Sequence, residues 1–296
     1  VYATVLCGAV KRTINIASTA FEKWAVNHLF NKTKKLIAVN RIKSARDILE
    51  ASCTQKTTSF RRSGVKDGTY YIDIGDESGD AYAVSPGSWL IVSNPPVMFI
   101  KSKVAKAMPR VDESTTANLE VLWDYINVKE DDRPLALANM LESWRPETPH
   151  NILELNGEKG VGKSTVVKNL RTVIDPVEGD VRMLPAKEEA LIVQAKNGMA
   201  LCYDNVSHIP MVIQDLLCVM ATGGTTSARS LYTDSEEHIV RLHNPVMMNG
   251  ITDLATRADL VSRLIRIEVT KPENIKTQKE LDEGFKAALS EITAGL

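Results

Sequence analysis

Residues 157–165 read Gly-Glu-Lys-Gly-Val-Gly-Lys-Ser-Thr, which places two glycines, a lysine and a hydroxyl at the GxxxxGK[ST] spacing, with a third glycine, Gly160, between them. That spacing suits a polyphosphate. Glycines let a backbone curl until its N–H groups converge, and a following helix adds its positive end. The lysine and hydroxyl then supply an ammonium group and a magnesium ligand. The motif follows a short β-like run at 151–155 and precedes a helical run at 163–173, which is the context this chemistry requires. Gly157, Glu158, Lys159, Gly160, Val161, Gly162, Lys163, Ser164 and Thr165 are therefore the expected ATP-binding loop. Lys163 reaches the β- and γ-phosphates and Ser164 holds Mg²⁺.

Such a loop needs a carboxylate at the end of a neighbouring strand to hold the metal. Apolar residues 199–203 run into Asp204, the expected second Mg²⁺ group. Asn205 follows it, and an amide cannot accept a proton from an attacking water, so the general base is unassigned. Asn249 ends another apolar run, residues 245–248, and is the expected holder of that water. Arg257, Arg263 and Arg266 follow. An arginine delivered to the γ-phosphate of a neighbouring subunit stabilises transition-state charge by about 10³ to 10⁵ in rate, and chemistry alone does not choose among the three.

The elements that must position these residues fall into three regimes. Residues 1–66 read as a basic helical segment, with apolar residues at spacings of three and four over 19–30 and 41–53. Residues 67–110 read as a small antiparallel meander, with short strands at 70–74, 81–84, 89–92 and 97–100 separated by turn residues. Residues 111–148 read as a helical linker, with helices at 119–126 and 134–144 and Pro134 at a permissible helix start. From 149 to 270 strands and helices alternate, as in a mostly parallel sheet covered by helices, and 271–296 reads as a C-terminal amphipathic helix.

Composition agrees with a globular chain: 44% of the 296 residues are apolar and 25% charged. Disordered, collagen-like and small disulfide-framework classes are excluded. The net charge of −1 conceals an asymmetry, with 17 Lys/Arg against 8 Asp/Glu in residues 1–110 and 19 against 29 thereafter. Lys32, Lys34, Lys35, Arg61, Arg62, Lys101, Lys103, Lys106 and Arg110 read first as solvated faces and second as a nucleic-acid path. Cys7, Cys53, Cys202 and Cys218 form no CxxC pair and are expected as buried free thiols in a reducing, cytoplasmic compartment. The five histidines lack metal-ligand spacing. Trp24, Trp89, Trp123 and Trp144 are expected core anchors. Prolines and glycines break the uncharged run 81–100, so no membrane span is expected. The sequence opens on Val1 with no secretory signal pattern and is expected to be a piece of a longer polypeptide.

Three motifs together, GEKGVGKST, ALCYDN and the series from Ala221-Thr222-Gly223-Gly224 through Arg229-Ser230-Leu231-Tyr232 to Asn244-Pro245-Val246-Met247-Met248-Asn249, resemble the helicase superfamily 3 branch of the AAA+ ATPases. The similarity is greatest to ATPase modules of phage and mobile-element primase-helicases and covers roughly residues 149–269. It implies an α/β P-loop fold, ATP and Mg²⁺ as cofactors, assembly into a ring, a hexamer, and a β-hairpin contacting single-stranded or forked DNA. The positions carried over are Arg229 and Tyr232, with Arg241 or His243 as weaker matches. The arginine of the neighbouring subunit falls on Arg263, fourteen residues after Asn249 and ahead of a terminal strand. The segments FEKWAVNHLF and YYIDIGDESGDAYAV also look like the region preceding such modules in prophage-type bacterial ATP-binding proteins, and a primase or polymerase region is expected upstream of residue 1. The implied activity is an ATP-hydrolysing DNA translocase or helicase. Two rivals stay open: an ATP-dependent switch or scaffold without translocation, which Asn205 favours, and a small-molecule kinase whose arginines act in cis.

Overall fold

The computed structural model describes residues 1–53, 57–179, 181–229, 237–250, 254–272 and 276–296. It opens with a hairpin, β1 (Tyr2–Cys7) and β2 (Val10–Asn15), turned at Gly8 with φ of +67°. Helices α1 (Thr19–Thr33) and α2 (Val39–Ser52) follow, the first capped by the Ser18 hydroxyl accepting from the Phe21 N–H. Phe21, Ala25 and Ile42 bury against Val5 of the hairpin and Ile16 just after it. The two helices agree with the periodicity at 19–30 and 41–53. The hairpin was outside that reading, because its strands are only half-buried and carry no clean two-residue alternation.

The next segment holds β3 (Ser59–Phe60), β4 (Ser63–Lys66), β5 (Thr69–Asp73), β6 (Asp80–Ser85), β7 (Ser88–Ser93) and β8 (Met98–Phe99). Strands β4 to β7 form the antiparallel meander. Residues 97–100 do not extend it: β8 pairs in parallel with β3 instead. A 3-10 turn, Glu120–Asp124, stands where residues 119–126 read as helical, and α3 (Arg133–Glu142) follows. The α-helix is given up because residues beyond the turn have another partner: Lys129 N–H donates to Glu268 O at 2.9 Å and Asn127 O accepts from Thr270 N–H at 2.8 Å.

The remainder alternates as β9 (Ile152–Asn156), α4 (Lys163–Ile174), α5 (Glu188–Asn197), β10 (Leu201–Val206), α6 (Met211–Thr222), a hairpin of β11 (Thr225–Arg229) and β12 (Glu237–Arg241), β13 (Val246–Gly250), α7 (Ala258–Val261), β14 (Leu264–Glu268) and α8 (Gln278–Gly295). Strands β10, β13, β9 and β14 lie side by side in that order, all parallel. This is the expected α/β architecture of the P-loop type. Leu153, Leu155 and Met247 face one layer with α4 and α8, while Ile152, Val246 and Met248 face α5 and α6. Val166, Val167, Leu170, Val173 and Ile174 bury one face of α4, so apolar burial fixes the helix that leaves the phosphate loop.

Three expectations are corrected by burial. Arg62 is no surface cation: it is 2% exposed, and its guanidinium donates to Asp175 Oδ1 (3.1 Å), Asp73 O (3.0 Å) and Lys106 O (2.8 Å), joining the meander to the end of α4. Cys53 is exposed, and Cys7 is only partly covered, whereas Cys202 and Cys218 are buried thiols. Trp89 lies on the exposed strand β7, while Trp144 is a buried anchor whose Nε1 donates to Ile174 O at 3.0 Å. Among the described residues no helix is long and apolar enough to cross a membrane.

Candidate active site

Strand β9 enters the phosphate loop from the middle of the sheet, flanked by β13 and β14. Gly157 leaves it with φ of +148°, and a Cβ there would stand 2.4 Å from Val269 O, so the turn requires glycine. Gly160 and Gly162 also take positive φ, and Gly162 caps α4. The Lys163 ammonium donates to Gly157 O at 2.6 Å and Glu158 O at 2.8 Å, which holds its charge over the loop. An open pocket of about 390 Å³ runs past Ser164 and Thr165 to Lys168, Gly179 and Val181.

Asp204 and Asn249 come to this loop from adjacent strands. Asp204 Oδ1 accepts from Ser164 Oγ at 2.6 Å and from Asn249 Nδ2 at 2.7 Å, while Asn249 Oδ1 accepts from the Asn205 N–H at 2.9 Å. A backbone N–H can only donate, so the last contact fixes the amide's orientation and aims its NH₂ at the carboxylate. Asn205 takes φ of +52° where the β10–β13 register shifts between Tyr203 and Val206, and it is exposed. The irregularity turns its N–H toward Asn249. Behind the carboxylate, Asp204 N–H donates to Arg182 O at 2.9 Å and Arg182 N–H donates to Cys202 O at 3.1 Å, so residue 182 continues the sheet beyond β10. Burial pushes the Cys202 thiol up to about 11, which leaves it an inert filler beneath the site.

The structure thus brings Lys163, Ser164, Asp204 and Asn249 together at the C-terminal ends of parallel strands. Arg263 is elsewhere. It precedes β14, and its carbonyl accepts from the N–H of Ile152, the first residue of β9. At about 3.3 Å per residue, the five residues of β9 separate that end from the phosphate loop by roughly 15 Å. The Arg263 side chain pairs with Asp259 on α7, and Arg257 pairs with Asp215 at 3.0 Å. The base of the β11–β12 hairpin lies at this same far end, where the Ala221 carbonyl accepts from the His150 N–H. His243 is packed there: its ring lies 4.5 Å from that of His150, and its Nε2 is 2.9 Å from Thr148 O. Arg229 lies on β11, and Tyr232 is outside the described residues.

Two residues at the site were absent from the sequence reading. Glu154, on the central strand and wholly buried, accepts from Arg266 Nε at 2.8 Å and Leu254 N–H at 3.3 Å. This gives Arg266 a structural partner. A carboxylate inside the apolar run Ile-Leu-Glu-Leu was the signal for it. Asn127 donates to Val161 O of the phosphate loop at 3.4 Å, and no local pattern marked it.

Residues 119–296, more than half of the chain, match the family model described as the actinomycete integrative conjugative element replication protein. The chain belongs to this family. This replication protein of a mobile element gives no match among curated proteins. Among solved structures it is similar to the SCCmec type IV Cch active helicase, with 13% identity over 97% of this chain and 54% of that one and a TM-score of 0.47. It is also similar to the A form apo NrS-1 C-terminal region, with 11% identity over 95% of this chain and 60% of that one and a TM-score of 0.49. A third similarity is to a ligand-bound JCV helicase, with 13% identity over 59% of this chain and 51% of that one and a TM-score of 0.38. The replication protein therefore spans little more than half the length of these chains.

Proposed function

We propose that this replication protein is an ATP-hydrolysing DNA translocase or helicase module that works as a ring. Lys163 and the loop 157–165 bind the triphosphate. Ser164 and Asp204 hold Mg²⁺: one hydroxyl and one carboxylate form the hard, sparse oxygen set that suits an ion retaining most of its waters. The bound ion would neutralise charge on the phosphates. Asn249, fixed by the Asn205 N–H, orients the attacking water beside Asp204. The observation that carries the reading is the separation of Arg263 from its own phosphate loop by the length of β9. An arginine at that end can serve the γ-phosphate of an adjacent copy, and in a ring of such contacts the β11–β12 hairpins, which carry Arg229 and Tyr232 in sequence, are the proposed DNA contacts. The same separation argues against a kinase whose Arg263 acts in cis.

Mixing two inactive variants tests this. Lys163→Ala and Arg263→Ala should each lose turnover, by about 10³-fold for the arginine. Their mixture should regain activity, because a subunit with an intact loop can meet one with an intact arginine. A mixture that stays inactive rejects the shared site. Single-stranded DNA should stimulate turnover, and Arg229→Ala with Tyr232→Ala should abolish the stimulation. The exposed amide of Asn205 favours a switch that binds ATP and assembles without moving along DNA, and unstimulated turnover would select that reading.

A further inference from the structure

A cleft of about 1320 Å³ is walled by the β1–β2 hairpin, by residues 94–104 and by the start of β3 with the edge of α5. Seven cations line it: Arg12 and, besides it, Lys11, Arg61, Lys66, Lys101, Lys103 and Arg182. Arg61 and Lys101 donate to backbone carbonyls, of Lys196 and Asp76, and neither forms a direct ion pair with a carboxylate, although Lys101 lies close enough to Asp73 and Glu77 to favour their charged forms. Lys11, Lys66 and Lys103 are exposed and have no carboxylate partner among the described residues. Arg12 is paired with Glu77. Only two carboxylates lie in the lining. Asp76 is taken by Arg110 at 3.1 Å, and Asp73 is buried and accepts from the Gly75 N–H at 3.0 Å. Tyr2, Phe60 and Phe99 stand among the cations.

A concave trough with this charge excess calls for a polyanion, and the three rings in its lining decide which one. Phosphates alone would need no aromatic wall. A duplex keeps its base faces stacked inside, whereas a single strand can lay them on side-chain rings without regard to sequence. A lipid surface is flat and would meet the rim rather than the floor. We infer that this cleft is a second binding site for single-stranded DNA, separate from the β11–β12 hairpin and built by the residues that precede the ATPase sheet together with Arg182 and the edge of α5. The inference extends the proposed function but does not require its hairpin or its ring: the strand is held here whether or not ATP is turned over.

The test is fluorescence anisotropy of the full chain with a labelled oligothymidylate of about 15 nucleotides, without ATP, across about 50 to 200 mM salt. The triple variant Lys11→Ala, Lys66→Ala, Lys103→Ala removes exposed side chains and should keep its melting temperature. It should bind at least tenfold more weakly, with a salt dependence shallower by about 2 in log–log slope, the share of about three single-strand phosphate contacts. Lys163→Ala should bind the strand normally, and Arg229→Ala with Tyr232→Ala should keep most of the affinity. This separates failure of the cleft from failure of the ATPase reading. An abasic oligomer of equal charge should bind at least fivefold more weakly. The inference is overturned if the triple variant binds within twofold of the parent, if the hairpin variant loses all binding, if duplex of the same length or the abasic oligomer binds equally well, or if phosphatidylserine vesicles compete on an equal charge basis.

Discussion

At the scale of single residues, the site is a relay of hydrogen bonds that runs from the Asn205 N–H through the Asn249 amide to Asp204 and Ser164. Asn249→Ala leaves the carboxylate without its amide donor, so ATP affinity measured by calorimetry should stay within a few-fold while kcat falls by about 10². Asn249→Asp would instead set two carboxylates against each other and weaken Mg²⁺ binding. A second residue-scale expectation concerns pH. Burial, with His243 as a neighbour, lowers His150 to about 4 from about 6.5. The neutral form is the folded one, so its stability contribution is complete above pH 6.5 and is lost as pH falls from there toward 4, with a ceiling on the order of 3 kcal/mol. Melting temperature should drop by several degrees between pH 7 and pH 5, and His150→Gln should flatten the curve. A wild-type melting temperature constant over that range would contradict this assignment. The residues of the relay were legible because phosphate chemistry demands their types at strand ends. Glu154 was legible only in hindsight, as one charge in an apolar strand.

Individual elements are held to the site by a few contacts that sequence spacing does not reveal. Arg62 and Asp175 lie 113 residues apart and form a buried pair that ties the meander to the C-terminal end of α4. Arg62→Met would strand the Asp175 charge, at a cost of about 3 to 5 kcal/mol and a melting temperature lower by roughly 10 °C. The double variant Arg62→Met, Asp175→Asn should recover part of that loss in the same melt. At the phosphate loop, Gly157→Ala forces a Cβ against Val269 O of the strand next door. It should weaken nucleotide binding by more than tenfold in calorimetry and cost about 1 to 3 kcal/mol of stability. The strands and helices of residues 151–174 were readable because apolar run, glycine loop and helical periodicity agree with one another. The segment 119–126 was misread because its competing partner, the β14 edge, lies far along the chain. The β1–β2 hairpin was missed because neither face of it is deeply buried.

At the scale of the whole molecule, the two ends of the sheet carry different residues. The phosphate loop, Asp204 and Asn249 occupy one, while Arg263 and the hairpin base occupy the other, an arrangement that depends on β14 and β9 running parallel side by side. No local motif could state that. Sedimentation velocity should therefore show ATP-dependent assembly into a ring, lost in Lys163→Ala, and a chain that stays monomeric with ATP would exclude the shared site. Arg182 carries one further consequence. Its carbonyl receives the amide of Asp204, and its guanidinium lines the basic cleft. If a strand sits in that trough as inferred, its pull on Arg182 would reach the backbone of Asp204 through this one hydrogen bond, so cargo and fuel would share a lever one amino acid long. Loading the trough should register as a changed half-saturation for magnesium, even in a subunit that has no neighbour.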